Sequence, residues 1–98
     1  MALIDLRGRE KETPVRTLLA EAHGTTESAE RALERYRAGE WILLGWEANG
    51  SVLACAGVEE RAGEDVVLHS LAVASLFRGR GIGRLLLEAI GFVRIDTL

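Results

Sequence analysis

The stretch Leu68-His69-Ser70-Leu71-Ala72-Val73-Ala74-Ser75-Leu76-Phe77-Arg78-Gly79-Arg80-Gly81-Ile82-Gly83-Arg84 decides the fold. Its first half is apolar enough for a buried strand, and its second half is a glycine-rich turn. Beyond the turn, Ile82, Leu85, Leu86, Ala89 and Ile90 recur at helical spacing, and Gly91 can end the helix. A strand therefore runs through a glycine turn into a helix. Glycines allow a ligand to approach the backbone closely. The first turn of the helix brings unpaired N–H groups and a positive dipole end. Together they make an anion site suited to phosphate or pyrophosphate; glycines that merely shape a tight turn are the plainer alternative.

The spacing separates this turn from two better-known phosphate loops. Nucleotide hydrolases need G-x-x-x-x-G-K-[ST], but Gly83 is followed by Arg84-Leu85. The dinucleotide fingerprint needs G-x-G-x-x-G, and Gly79-Arg80-Gly81-Ile82-Gly83 is one residue short of it.

Working outward toward the N-terminus, Asp65 to Val73 reads as a strand buried on both faces. Ala62-Gly63-Glu64 forms the turn before it, and Ser51 to Glu59 is the preceding strand. Asn49-Gly50 signals a tight hairpin back to a strand over Trp41 to Glu47. Earlier still lie two helices. One opens at Thr13-Pro14, carries the stripe Val15, Leu18, Leu19, Ala22 and closes at Gly24. The other starts near Thr26, buries Ala29, Leu33 and Tyr36, pairs Glu27 with Arg31 on its surface and ends at Gly39. Ala2 to Arg7 is a short first strand, and Phe92 to Leu98 is a last one, giving a strand–helix–strand unit at the end of the sheet. The fold class is α/β (α+β): a mixed, mostly antiparallel sheet in a single domain over residues 1–98.

The turn resembles the signature [RQ]-x-x-G-x-[GA] of the GNAT N-acetyltransferases, as Arg78-x-x-Gly81-x-Gly83. Leu71-x-Val73 before it and Leu85-Leu86 after it resemble the family's fourth strand and third helix, and Arg94 to Leu98 resembles the fifth strand. The resemblance covers nearly the whole chain. It implies an acetyl-CoA-dependent N-acetyltransferase acting by direct attack on an amine of a small molecule or protein; the alternative is a non-catalytic CoA-binding or assembly module. By the same resemblance, the amides of Arg78, Gly79, Arg80, Gly81, Ile82, Gly83 and Arg84 hold the CoA pyrophosphate. The pantetheine arm pairs with the backbone of Leu71, Ala72 and Val73. Against the family pattern the third helix is short, the C-terminal part of the fold is missing and Ser75 replaces a common Pro. The chain is thus expected to be truncated, and to form a homodimer through its fifth strand or the outer face of its third helix.

Acetyl transfer needs a base for the amine, a donor for the oxyanion and a proton for the thiolate. His69, two residues before Leu71, is the first base candidate, with a sheet-bound polar residue as the alternative. Glu59, like Glu60, could act through a water, or be an exposed turn carboxylate. His23 reads as a helix C-terminal cap. Cys55 reads as a small buried hydrophobe, and Trp41, Trp46, Phe77 and Tyr36 as core.

Composition sets outer bounds. The chain has 98 residues, 48% of them hydrophobic, and a net charge of −3, from 12 basic and 15 acidic residues. An acidic balance argues against a nucleic-acid partner. All basic residues but Lys11 are arginine, which suits a phosphate ligand. Glu27, Glu30 and Glu34 favour a cationic acceptor amine, although solvated helix faces look the same. One cysteine excludes an internal disulfide and points to the cytoplasm. The N-terminus shows no signal peptide, and no apolar run is long enough for a membrane helix. No metal site is expected.

Overall fold

The computed structural model describes residues 2–63 and 65–91. Its elements are β1 (Ala2–Asp5), α1 (Thr13–His23), α2 (Thr26–Arg37), β2 (Ile42–Ala48), β3 (Ser51–Glu60), β4 (Val66–Val73), a 3-10 turn (Ser75–Phe77) and α3 (Ile82–Ile90). The four strands form one sheet in chain order, every neighbour antiparallel. The expected strand over Phe92 to Leu98, and with it the parallel pair and the dimer edge, lies outside the described residues.

Side chains alternate across a strand, and β3 shows the consequence. Cys55 belongs to a core with Val15, Leu18, Leu19, Leu33 and Tyr36 of α1 and α2. Its neighbours Ala54 and Ala56 belong to a second core with Ile82 and Leu86 of α3. The sheet is therefore sandwiched, with α1 and α2 on one face and α3 on the other. Small residues along β3 let both layers approach. Gly57 is the tightest case: a Cβ there would lie 1.8 Å from the Tyr36 hydroxyl.

Local signals explain most boundaries. Asn49 (φ 52°) and Gly50 (φ 79°) both take left-handed backbone, as the hairpin requires. Gly24 (φ 76°) closes α1 and Gly91 (φ 100°) closes α3. Thr25 caps α2, its side chain accepting from the Ser28 N–H. α1 differs from expectation at its start: Glu12 is the N-cap, without a side-chain cap bond, and Thr13 is already helical.

Three further corrections follow from packing. β4 is not buried on both faces, since Val66 is 43% and Leu71 is 40% exposed. On α3, Ile82 and Leu86 are buried, whereas Leu85 and Ala89 are exposed. The Glu27–Arg31 surface pair is absent among the described ion pairs.

Candidate functional site

The exposure of Leu71 has a backbone cause. Between the pairs Gly57↔His69 and Cys55↔Ala72, β3 has one residue and β4 has two, Ser70 and Leu71. This is a β-bulge, which leaves an extra residue out of the hydrogen-bond ladder and re-aims the strand. Ser70 carries the strain at φ 54°, a left-handed conformation that costs a non-glycine residue roughly 1–2 kcal/mol.

Ser70 is held there by its side chain. The Tyr36 hydroxyl donates to Ser70 Oγ at 2.6 Å, and His23 Nε2 lies 2.6 Å from the same oxygen. His23 Nδ1 lies 3.3 Å from Ser28 Oγ. Either neutral tautomer of His23 satisfies all three contacts: Ser70 donates to Nε2 while Nδ1–H donates to Ser28, or Nε2–H donates to Ser70 while the Ser28 hydroxyl donates to Nδ1. His23 is therefore no mere helix cap. Burial, and next the neighbouring His69, lower its pKa below the ordinary histidine value. Tyr36 is in the core as expected, and burial raises its pKa, so it keeps its proton. Cys55 is fully buried and its thiol is pushed up to about 12, which leaves it inert as a nucleophile.

The His23 shift has a checkable consequence. Folded His23 binds its proton more weakly than unfolded His23. Its contribution to stability is complete above the ordinary value of 6.5 and is lost as pH falls below it. Melting midpoints measured between about pH 5 and pH 8 should fall toward acid, and less steeply in His23→Gln.

His69 and Glu59, expected separately, are brought together. His69 Nε2–H donates to Glu59 Oε1 at 2.7 Å. The His69 ring stacks on Trp41 at 3.7 Å between centroids, with the two planes nearly parallel. This hydrogen bond, then that from Arg61, holds the Glu59 carboxyl below the usual carboxylate range. Glu60 is exposed at the strand end.

On the other side of the bulge, a groove of about 310 Å³ is lined by Glu21, Leu71, Ala72, Val73, Arg78 and Gly83. It joins the end of β4 to the glycine turn. Gly79 (φ 77°) and Gly81 (φ 75°) both adopt left-handed backbone, and a Cβ at either would meet nothing within 4 Å. The outer face of the turn is open, and a ligand can reach the amides that begin α3. Gly83 serves packing: a Cβ there would touch Val73 Cγ2 at 3.4 Å. Ile82 is buried, while Arg80 lies over the Phe77 ring and Arg84 bonds Glu88. The Arg78 side chain is engaged by protein, donating to the Val73 carbonyl at 3.0 Å and to Glu21 at 2.8 Å.

Sequence reasoning named the glycine turn, Leu71 to Val73, His69 and Glu59 as candidates. It read His23 as a cap alone and did not single out Ser70, Ser28 or Glu21. A serine in the middle of an apolar strand was the one available signal. Among the described residues, no cluster of His, Cys, Asp or Glu is suited to a metal, and no helix is long and apolar enough to cross a membrane.

A bulged strand thus leads into an open glycine turn, over a sheet with helices on both faces. The chain belongs to the acetyltransferase (GNAT) family, whose model matches residues 4–91. Among solved structures it is similar to an aminoglycoside 6'-N-acetyltransferase complexed with coenzyme A (TM-score 0.67, 19% identity), covering 92% of this chain and 53% of that one. It is similar to glucosamine-6-phosphate N-acetyltransferase from Arabidopsis thaliana (TM-score 0.65, 20% identity, 91% and 70% covered). It is also similar to a GCN5-related N-acetyltransferase from Ralstonia eutropha (TM-score 0.64, 19% identity, 90% and 71% covered). At these identities the likeness establishes the fold. The chain spans about half the length of the aminoglycoside enzyme. No curated protein matches the sequence.

Proposed function

We propose that the chain is an acetyl-CoA-dependent N-acetyltransferase that passes acetyl directly to an amine. The observation that carries this reading is the Ser70–Leu71 bulge: the groove to the glycine turn borders Leu71, and His23 bonds Ser70. In this reading the amides of Arg78 to Arg84 hold the pyrophosphate, and the backbone of Leu71 to Val73 takes the pantetheine arm. The open space outside Gly79 and Gly81 fits that group. The amine nitrogen attacks the thioester carbonyl, the C–S bond breaks, and CoA leaves as the thiolate. The amine proton passes to the His69–Glu59 pair, whose hydrogen bond stabilises a charged imidazole. An N–H at the bulge, outside the ladder, suits the oxyanion.

A cytoplasmic setting fits the single free thiol, Cys55. A homodimer through the outer face of α3 is supported by the exposure of Leu85 and Ala89.

One observation favours a second reading, a CoA-binding module without turnover. The one tyrosine, Tyr36, is buried and commits its proton to Ser70, so it supplies no acid for the leaving thiolate. Release of free CoA thiol from acetyl-CoA with a panel of amines separates the two. Amine-dependent release is expected; an acetyl-CoA-induced rise in melting midpoint with no release from any amine would establish the second reading.

A further inference from the structure

The acceptor's chemistry is written in a second cavity, an inference that rests on the acetyltransferase reading above. A space of about 290 Å³ is lined by His23, Ser28, Arg31, Ala32, Arg35 and Trp41. That volume suits a small molecule. Two contacts tie it to the bulge. His23 reaches Ser70 Oγ at 2.6 Å, and Trp41 stacks on His69. The last turn of α1 borders both spaces, with Glu21 on the groove and His23 on this cavity. A molecule seated here lies beside the bulge, on the His23 side.

The lining is cationic. It contains two arginines and no carboxylate; Glu27 and Glu30 do not line it, and Glu34 and Glu40 line a neighbouring space with the same two arginines. Arg35 is already committed, paired with Glu40 at 2.5 Å and placed 5.8 Å from the Trp41 ring centre. Arg31 makes no ion pair among the described residues, and its expected partner Glu27 does not engage it. An unpaired guanidinium presents a planar fork that matches carboxylate or phosphate oxygens. The acidic surplus of the chain pointed to a cationic acceptor; the charge at the cavity points the other way.

We propose that this cavity is the acceptor pocket and that it selects a small primary amine bearing an oxyanion group, which Arg31 binds while the amine faces His23 and the bulge. Trp41 supplies the apolar wall for the carbon skeleton between them.

The test uses matched amines: propylamine against β-alanine for a carboxylate, ethanolamine against O-phosphoethanolamine for a phosphate, and putrescine as a cation. Free CoA thiol is the readout. The anionic member of each pair should show kcat/KM at least about tenfold above its neutral partner, the effect of one charge-assisted contact. If only one anionic member is preferred, that oxyanion is the group recognised. Arg31→Glu should abolish the preference and Arg31→Lys should retain part of it. Arg31 is exposed on α2, so both variants should keep the melting midpoint and its acetyl-CoA shift. Equal or better turnover of neutral amines or putrescine overturns the proposal, as does a preference that survives Arg31→Glu. If no amine is acetylated, the acetyltransferase reading fails and calorimetry with O-phosphoethanolamine and β-alanine decides. Binding of either weakened about tenfold by Arg31→Glu supports the anion site; absent or unaltered binding of both removes it.

Discussion

Gly81→Glu is expected to abolish the stabilisation that acetyl-CoA gives this chain. Saturating ligand at about 100 times its dissociation constant adds about 2.7 kcal/mol to folding stability. For a domain of this size that is a rise of roughly 10–20 °C in melting midpoint. Gly81 is the N-cap of α3, at φ 75°, with nothing within 4 Å of where a Cβ would stand. A glutamate side chain therefore fits, and places its carboxylate in the space proposed for the pyrophosphate. It repels the ligand and competes for the same amides. The left-handed backbone makes any side chain cost roughly 1 kcal/mol or more in the unliganded protein. Gly81→Ala shares that strain without the charge, so it separates the two effects. The alanine variant should keep most of the ligand-induced shift and the glutamate variant should lose it. A full shift in Gly81→Glu would mean that the glycine turn is not the phosphate site.

The second large effect is on folding alone. Gly57→Ala adds one methyl group between β3 and α2. The new Cβ would lie 1.8 Å from the Tyr36 hydroxyl and 2.7 Å from Cζ of the ring. Tyr36 is 3% exposed and has little room to retreat. Overpacking of this kind costs about 1–3 kcal/mol. Pushing the ring away also breaks the bond to Ser70, worth about 1 kcal/mol more. Together they should lower the melting midpoint by on the order of 15 °C. Adding Tyr36→Phe removes the nearest clashing atom, so the double variant should be more stable than the sum of the single effects. If Gly57→Ala melts within a degree or two of the parent chain, Tyr36 does not pack over Gly57.

These two glycines show how unevenly the sequence reveals the site. The place of Gly81 at the start of α3 was legible, because it depends on neighbours in the chain: a strand before, a helix after, and fixed spacing between. Gly57 was not, because its role is set by Tyr36, which reaches it only through the packing of α2 on β3. Likewise, Asn49-Gly50 announced the hairpin locally. The bulge at Ser70 arises from a mismatch of register between two strands, and no residue within β4 encodes it alone. His69 and Glu59 were each visible as candidates, yet their 2.7 Å contact depends on the antiparallel register of β3 and β4. His23 was misread because its partners, Ser28 and Ser70, are 5 and 47 residues away. The Glu27–Arg31 pair was expected because spacing along a helix gives the available neighbours, and not whether a bond forms between them.

The last turn of α1 holds two residues with different partners. Glu21 grips Arg78 of the glycine turn at 2.8 Å, and His23 grips Ser70 of the bulge at 2.6 Å. One helical turn thus forms a wall shared by both spaces. If ligands in the two spaces are coupled through it, the influence is mutual: whatever factor the first imposes on the affinity of the second, the second imposes on the first. Substituting Glu21 or His23 therefore removes a contact from the wall that the two spaces share, whereas a change at Arg31, away from that wall, leaves the groove as it is.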